Sequence, residues 1–365
     1  MARGNLRQAA SLLEVAAQRG RDATTLLRLA TVRRSLGDYP GAIECAAAAV
    51  ELAPRNFLMA LMLGSLRERS GAVHGAERAY RAACENVPHD LSFQPAVAKQ
   101  LETAKRVVEA GEQWRQRLFN WQASDVPCAM TPQEERRMLG FRTNILESLN
   151  AGPVVPPAFV IPGIRPKRYF DGAQFAGVEE IEQATDEIRA EFLALTEQRG
   201  EFSPRLAGLR GPEVSPGRVG KWSMIPLIRN GQVVEEFASA CPRTFALAQN
   251  LDLAEIGLIS PSLYFSVLEP NSRIAPHTGI INARLIAHFP LIVPQDCRFR
   301  VGGEERRWEP GKALIFDDMT VHEAWNDSDR IRVVLIADLW RPELTAAERC
   351  ALADLMQCED VTANA

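Results

Sequence analysis

Two different spacings of apolar residues divide the 365-residue chain. Up to about residue 123, leucines and small residues recur every three or four positions, the spacing that makes one face of an α-helix apolar. From about residue 165 onward the apolar residues fall into short runs separated by turn residues, such as SLYFSVL, CRFRV and RIRVVLIADLW. Many short strands at near-regular spacing are typical of a β-sandwich or a β-barrel. The pattern therefore predicts a helical N-terminal half and a β-rich C-terminal half.

The helical half repeats itself at a fixed interval. Four positions recur at the same offset: Leu29 as Leu63, Gly37 as Gly71, Ala42 as Ala76 and Pro54 as Pro88. The glycine allows a turn between two helices, and the small alanine lets the paired helices approach closely. This period and pattern resemble the tetratricopeptide repeat, a helix-turn-helix unit that stacks into a solenoid. A generic helical bundle rich in Ala and Leu is the alternative that the pattern leaves open.

A proline-rich stretch separates the two halves. The sequence AGPVVPPAFVIPGIRP carries prolines at positions 153, 156, 157, 162 and 166, which excludes both a regular helix and a central strand. It follows a break at SDVPCAMTPQEE and a short predicted helix. We therefore predict helical repeats in residues 1–123, a linker in residues 124–164 and a β domain in residues 165–365.

Composition narrows the classes of protein that need to be considered. Hydrophobic residues make up 46% of the chain, charged residues 24%, and the net charge is −4 at pH 7. No basic stripe and no apolar run of about 18 residues stands out, so neither a nucleic-acid partner nor a membrane span is expected. The seven cysteines form no CxxC pair, and the first residues lack the apolar core of a signal peptide. These features lead us to expect a cytoplasmic protein with reduced thiols.

Three of the five histidines lie in the β-rich half. His277 follows a predicted strand in the loop NSRIAPHTG, and His322 begins the run HEAWN. Two such imidazoles can meet only where their strands are neighbours in a rolled-up sheet, and neutral imidazoles suit Fe(II), Zn(II), Cu(II) or Ni(II). An Fe(II) oxygenase usually adds one carboxylate, but the position two residues after His277 is Gly279. Spacing alone leaves the metal undecided.

Several longer runs resolve this ambiguity through a resemblance. The runs FSVLEPNSRIAPHTGIINARLIAHFPLIVP and WEPGKALIFDDMTVHEAWNDSDRIRVVLIADLWRPELT resemble the catalytic domain of the aspartyl/asparaginyl β-hydroxylase family. The similarity covers about residues 165–350, weakly at first and strongly from Trp222 onward, and PHTG, LIFDD, HE-W and DLWRPELT together make it specific. The resemblance implies a double-stranded β-helix, a jelly-roll or cupin-like fold, behind a helical tetratricopeptide-like solenoid. The family lacks the carboxylate ligand and has a small residue in its place, so Gly279 matches it.

The resemblance also implies roles for individual residues. His277 and His322 are implied to hold the iron and to form the catalytic centre, with water where a carboxylate would bind. Arg332 matches the arginine that anchors the distal carboxylate of 2-oxoglutarate, a task that needs a fixed cation. Three further residues match contacts of this cosubstrate: Trp222, Ser266 and His288.

Fewer residues define the substrate side of the site. Arg284 matches an arginine that faces the carboxylate of the substrate, and a surface arginine on an edge strand is the alternative. Ile286 stands where the animal enzymes carry a basic residue, so one cosubstrate contact is expected to be absent or replaced. Asp317 and Asp318 could orient an imidazole or merely end a strand; direct ligation by Asp318 is the less favoured alternative.

The resemblance thus implies an Fe(II)- and 2-oxoglutarate-dependent dioxygenase that hydroxylates the β-carbon of an Asp or Asn residue. Its expected partner is a peptide or protein substrate that the helical repeats present. Three alternatives remain: a cupin-like metal-binding or sugar-binding module, a helical adaptor with an inactive β half, and a hydroxylase of a small molecule or a lipid acyl chain. A cupin would not need Arg332, and an inactive domain would be expected to lose His277 and His322 first.

Overall fold

The computed structural model describes residues 2–88, 93–155, 158–198, 222–257 and 259–357. The chain divides into two compact units, which we call the helical unit and the β unit. The helical unit consists of Met1–Asn120, Leu146–Pro157 and Cys358–Ala365. The β unit consists of Trp121–Ile145 and Ala158–Gln357. A helical region followed by an antiparallel-sheet domain confirms the predicted fold class.

Most of the helical unit is helix, and the β unit also contains helices. The described helices are α1 (Ala2–Arg19), α2 (Ala23–Ser35), α3 (Tyr39–Leu52), α4 (Phe57–Arg69), α5 (Val73–Glu85), α6 (Pro95–Asn120), α7 (Pro132–Asn150), α8 (Val178–Gln183), α9 (Thr185–Gln198), α10 (Glu235–Ala238), α11 (Pro242–Ala248) and α12 (Ala346–Met356). None of these helices combines the length and the apolar character needed to cross a membrane.

Two successive helical hairpins carry the repeat seen in the sequence. Helix α2 begins at Ala23 and α4 begins at Phe57, which is the same offset as that between the repeated sequence positions, and α3 and α5 are their respective partners. The turns inside the two hairpins contain Gly37 and Gly71, with φ angles of 78° and 82°. Such left-handed backbone costs glycine little and other residues much more. The predicted repeat of helical hairpins is therefore confirmed, and its assignment to the tetratricopeptide class stays a resemblance.

The end of α7 is anchored in the helical unit by arginines of α5. Arg78 Nη1 donates to Ser148 O at 3.2 Å, and Arg81 Nη2 donates to Leu149 O at 3.3 Å. The last carbonyls of a helix lack partners within the helix, so these guanidinium groups satisfy otherwise orphaned acceptors. The region predicted as a linker, residues 124–164, thus contains α7, and its residues are divided between the two units.

The segment from Trp121 to Glu134, which overlaps the start of that region, packs within the β unit on helix α12 and its N-cap residue Thr345. Trp121 Nε1 donates to Asp354 Oδ2 at 2.8 Å, and Thr345 Oγ1 donates to Glu134 Oε1 at 2.6 Å. The β unit therefore begins in sequence at Trp121, well before the predicted boundary at residue 165. Local periodicity gave no sign of this, because the bonded partners are 233 and 211 positions apart in the chain.

Two antiparallel sheets make up the rest of the β unit. The described strands are β1 (Tyr169–Phe170), β2 (Trp222–Arg229), β3 (Gln232–Val233), β4 (Leu263–Leu268), β5 (Ser272–His277), β6 (Arg284–Ile292), β7 (Cys297–Val301), β8 (Glu304–Arg306), β9 (Leu314–Phe316), β10 (His322–Asn326) and β11 (Arg332–Trp340). Among the described residues, the large sheet has the order β1-β9-β6-β11-β4-β2-β3 and the small sheet the order β5-β10-β7-β8.

Strand β11 lies at the centre of the large sheet and is buried on both faces. Val333 and Leu335 pack in an apolar cluster with helices α8, α9 and α11. Val334 and Ile336 point the other way, into a second cluster that includes Phe299 of the small sheet. Because successive side chains of a strand alternate between faces, Arg332 shares the face of Val334. The space between the two sheets therefore receives Arg332, and the site lies there.

The sequence predicts a hairpin between β7 and β8, because Gly302 and Gly303 separate the run CRFRV from EERRW. Gly302 and Gly303 have φ angles of 53° and 83°, so both central residues of the turn are left-handed. Val301 and Glu304 pair across it. A two-residue turn of this kind matches the right-handed twist of the strands and strongly favours glycine. The predicted hairpin is confirmed.

Candidate active site

His277 and His322 lie directly opposite each other in the small sheet. They are the last residue of β5 and the first residue of β10, and they are register partners. Their ring centroids are 4.0 Å apart, with an angle of 52° between the ring planes. The structure thus brings together the two histidines that the sequence singled out. His74 lies in the helical unit, and His89 lies outside the described residues.

Both imidazoles have Nδ1 directed at a backbone carbonyl. Nδ1 of His277 lies 2.8 Å from Ala275 O, and Nδ1 of His322 lies 3.0 Å from Thr320 O. A carbonyl only accepts, so Nδ1 carries the proton and the lone pair of the neutral ring lies on Nε2. Burial lowers the pKa of His322 to about 3 and also lowers the pKa of His277. Neutral rings oriented in this way are suited to bind a metal ion through Nε2.

The described residues place no third protein ligand beside these two histidines. Within the described part of the chain, no group of three His, Cys, Asp or Glu side chains is placed to hold a metal ion. Gly279 has no side chain, and a Cβ added to it would lie 2.1 Å from Asp318 Oδ2. The backbone N–H of Gly279 also donates to Asp318 O at 2.7 Å. The Asp318 carboxylate therefore occupies the space into which a side chain at position 279 would project.

Replacing Gly279 by alanine is expected to displace the Asp318 carboxylate and to destabilise the β unit by roughly 1–3 kcal/mol, the usual cost of overpacking. Thermal unfolding of the full-length variant measures this. Gly152→Ala is the matched control, because a Cβ at Gly152 meets no atom within 4 Å. If Gly279→Ala unfolded at the same temperature as the unaltered protein, the close approach of Asp318 would be contradicted.

Arg284 is held between two buried carboxylates. Its Nη2 donates to Asp318 Oδ2 at 3.1 Å, and its Nη1 donates to Asp338 Oδ1. Asp338 is fixed in turn by Ser260 Oγ at 2.9 Å and by the N–H of Ser262 at 2.8 Å. Burial works to lower the pKa of Arg284, but the two aspartates outweigh it and raise that pKa. The surface alternative for Arg284 is thereby excluded, and a carboxylate of the substrate would have to compete with Asp318 and Asp338.

Arg332 is buried and forms no ion pair with any acidic residue that the structure describes. Its side chain is almost wholly enclosed, its Nη1 donates to Ser266 Oγ at 3.1 Å, and its Nε has no hydrogen-bond partner. No carboxylate among the described residues forms an ion pair with it. Burial lowers the pKa of Arg332 to about 10, so it remains charged at pH 7. A buried, unpaired guanidinium is costly, and an anionic ligand would remove that cost.

The other predicted cosubstrate residues surround this arginine. Trp222 Nε1 donates to Ser266 Oγ at 2.8 Å. His288 is buried, and its Nδ1 lies 3.1 Å from Nε1 of Trp308, whose ring also lies under the guanidinium of Arg332 at 4.8 Å. Ile286 follows the same inward face of β6 as His288 and belongs to the apolar cluster between the sheets. The basic residue missing there is replaced by an apolar side chain.

Asp317 has a different role from its neighbour Asp318. Its Oδ2 accepts from Nη1 of the fully buried Arg341 at 2.9 Å, and its Oδ1 accepts from the N–H of Met319 at 3.1 Å. These bonds hold the turn that precedes His322. Sequence reasoning named neither Arg341 nor Trp308 as functional, although both lie in the runs WEPG and DLWRPELT that carry the resemblance.

The fold and the site together define a class of protein. A double-stranded β-helix with two neutral, adjacent histidines and a buried cation between its sheets is suited to a metal-dependent reaction on a ligand with an anionic group. Residues 182–342 match the model of the aspartyl/asparaginyl beta-hydroxylase family. The predicted resemblance of the C-terminal domain to this family is confirmed.

Curated relatives are similar to the same part of the chain. The chain is 34% identical to the human aspartyl/asparaginyl beta-hydroxylase over 177 residues. This alignment covers 48% of this chain and 22% of that protein. It is 33% identical over 210 residues to the human aspartate beta-hydroxylase domain-containing protein 2, which covers 56% of each. It is also 34% identical over 176 residues to the ornithine lipid ester-linked acyl 2-hydroxylase of Rhizobium tropici, which covers 47% of this chain and 60% of that protein. The chain thus spans less than two thirds of each of these relatives.

Proposed function

We propose that the β unit is an Fe(II)- and 2-oxoglutarate-dependent dioxygenase. The observation that carries this proposal is the combination of two neutral, facing imidazoles with a buried arginine that has no carboxylate partner in the described part of the chain. A series of ring contacts links the two histidines to Arg332. Phe316 lies 5.0 Å from the rings of both His322 and His288, and Trp308 contacts both His288 and Arg332.

The residues present fit both Fe(II) and 2-oxoglutarate. Nε2 of His277 and Nε2 of His322 would hold the iron, and Arg332 with Ser266 and His288 would hold the distal carboxylate of 2-oxoglutarate. When bound, iron and cosubstrate supply the oxidising chemistry by which O₂ hydroxylates a C–H bond, with succinate and CO₂ as the other products. The chain itself keeps the imidazoles neutral, fixes the anchoring cation and excludes water with the apolar side chains between the sheets.

The substrate that we propose is the side chain of an Asp or Asn residue in a peptide or protein. Two kinds of relative, named for β-hydroxylation of aspartyl or asparaginyl groups, support this choice. Nε of Arg284 is buried and has no hydrogen-bond partner among the residues that the structure describes, so one donor of this arginine is left for a substrate oxygen. A lipid acyl chain is the second candidate, because the Rhizobium tropici acyl 2-hydroxylase is similar to this chain at the same level of identity.

Turnover of 2-oxoglutarate against a substrate panel tests the proposal. Purified full-length protein with Fe(II), ascorbate and 2-oxoglutarate is assayed for succinate, with Asp and Asn peptides, the free amino acids and ornithine lipids as separate arms. Stimulation by the peptides, with a mass increase of one oxygen on the Asp or Asn residue, is the expected result. Stimulation by lipids alone would favour the second candidate, and no succinate in any arm would refute the dioxygenase assignment.

The helical unit is proposed to present the peptide. Its hairpin repeats resemble a class of solenoid whose extended surfaces bind partners. A chain that begins at Trp121 retains the β unit and is expected to keep turnover of a minimal peptide within about threefold while losing most turnover of a long one. A chain that began at Gly163, near the boundary predicted from sequence, would lack Trp121 and Glu134 and therefore their bonds to Asp354 and Thr345. Equal losses on short and long peptides would contradict presentation.

A further inference from the structure

We propose that Trp222 and Trp308 are positioning residues that fix the direction in which Ser266 and His288 present their protons. The inference rests on the proposed function, because it concerns the pocket assigned to the distal carboxylate of 2-oxoglutarate. Each indole N–H is directed at a residue that could either donate or accept. The indoles thereby turn both residues into donors toward the pocket.

The bond between Trp308 and His288 fixes the tautomer of the histidine. An indole N–H can only donate, and Nε1 of Trp308 lies 3.1 Å from Nδ1 of His288. Nδ1 must therefore be the acceptor, so the proton of the neutral ring is on Nε2. Burial and the nearby charge of Arg332 lower the pKa of His288 well below its ordinary value, which keeps the ring neutral. His288 thus presents an N–H on the edge that faces away from Trp308.

The bonds to Ser266 have the same consequence for its hydroxyl. Oγ of Ser266 accepts from Nε1 of Trp222 at 2.8 Å and from Nη1 of Arg332 at 3.1 Å. A hydroxyl has two acceptor lone pairs and one proton, and these two donors use both lone pairs. The proton of Ser266 is therefore free to be donated elsewhere. Because Ser266 is wholly buried, a ligand in the pocket is the acceptor it would meet.

Trp308 also holds the cation in place. Its ring lies under the guanidinium of Arg332 at 4.8 Å and is stacked on Phe299 with centroids 5.2 Å apart. The Arg332 guanidinium, the imidazole N–H of His288 and the hydroxyl proton of Ser266 are three donors that one carboxylate in this pocket could accept from. Such a pocket selects a carboxylate over an amide or a hydroxyl of similar size, because those groups would bring donors of their own.

Phenylalanine variants of the two tryptophans test this inference in the full-length protein. Phenylalanine keeps a flat apolar ring and removes the N–H donor. Trp308→Phe and Trp222→Phe are each expected to weaken binding of 2-oxoglutarate by about fivefold to 150-fold, because leaving a buried polar group unsatisfied costs about 1–3 kcal/mol. Calorimetric titration of the Fe(II) protein without O₂ measures this. Trp121→Phe is the matched control: it removes the indole bond to Asp354 of α12, keeps the indole bonds to Ser266 and His288, and should leave the affinity unchanged.

The tautomer of His288 gives a readout that needs neither metal nor cosubstrate. Nitrogen-15 spectra of the metal-free protein, with labelled histidine, distinguish Nε2–H from Nδ1–H rings, and His288→Gln identifies the signal. The unaltered protein should show Nε2–H, and Trp308→Phe should show a mixture. An Nδ1–H ring in the unaltered protein, or unchanged affinities in both variants, would overturn the inference. If Trp308→Phe failed to fold, the spectrum of the unaltered protein would still decide. A protein with the expected tautomer that binds no 2-oxoglutarate would refute the proposed function instead.

Discussion

Replacing both His277 and His322 by alanine is expected to abolish Fe(II) binding and with it all consumption of 2-oxoglutarate. The described residues supply these two imidazoles and no third ligand, so the double variant leaves the metal without a protein donor. Each single variant removes half of the protein ligands. Since even an indirect contact to a ligand is worth about 10–100-fold in metal affinity, each single variant should raise the iron requirement by about 100-fold or more.

Iron content after dialysis and succinate formation over a range of Fe(II) concentrations measure these effects. His74→Ala is the control, because it removes an imidazole from the helical unit and leaves the β unit intact. It should retain one iron per chain. A double variant that still bound iron and turned over at the rate of the unaltered protein would place the metal centre elsewhere.

Replacing Arg332 by alanine is expected to raise the KM for 2-oxoglutarate steeply while leaving the iron content unchanged. Loss of one partner of a buried, hydrogen-bonded charge pair costs roughly 2–5 kcal/mol, which corresponds to about 30-fold to several thousand-fold in affinity. Arg332→Lys should recover only part of this loss, because a lysine keeps the charge but lacks the planar fork that reaches Ser266 and stacks on Trp308.

The exposed Arg330 provides a matched control for this prediction. It lies just before β11 and is solvent-accessible, so Arg330→Ala should leave the KM for 2-oxoglutarate unchanged. Steady-state kinetics at saturating iron separate KM from kcat, and metal analysis confirms that iron is retained. If Arg332→Ala had the KM of the unaltered protein, the carboxylate anchor would have to be sought at another cation.

The position of Arg284 affects how a substrate could bind. Two aspartates already use both terminal nitrogens of its guanidinium, and burial raises the pKa of Asp318 to about 6. When Asp318 and Asp338 are both ionised, their two negative charges exceed the single positive charge of Arg284. A substrate carboxylate would meet this arginine on less favourable terms than at Arg332, where no carboxylate competes.

Several features could be predicted because they depend on neighbours in sequence. The constant interval of the helical repeat predicts the positions of the turn glycines, Gly37 and Gly71. Both have the left-handed backbone that only glycine adopts easily. Gly302 and Gly303 likewise specify their hairpin locally. The roles of His277 and His322 as iron ligands were predicted from a family resemblance. Their spacing in the sequence left the identity of the metal undecided.

Tertiary structure alone decided the features that join distant parts of the chain. The Asp318 carboxylate fills the space beside Gly279, Arg341 holds Asp317, and the indole of Trp308 sets the tautomer of His288. The segment that begins at Trp121 packs on α12 and its N-cap, through bonds between residues that are 233 and 211 positions apart. Hydrophobic periodicity reports only which side of a helix or strand is buried. It cannot report which polar group meets which across two sheets, because that depends on how the strands are ordered and in what register they pair.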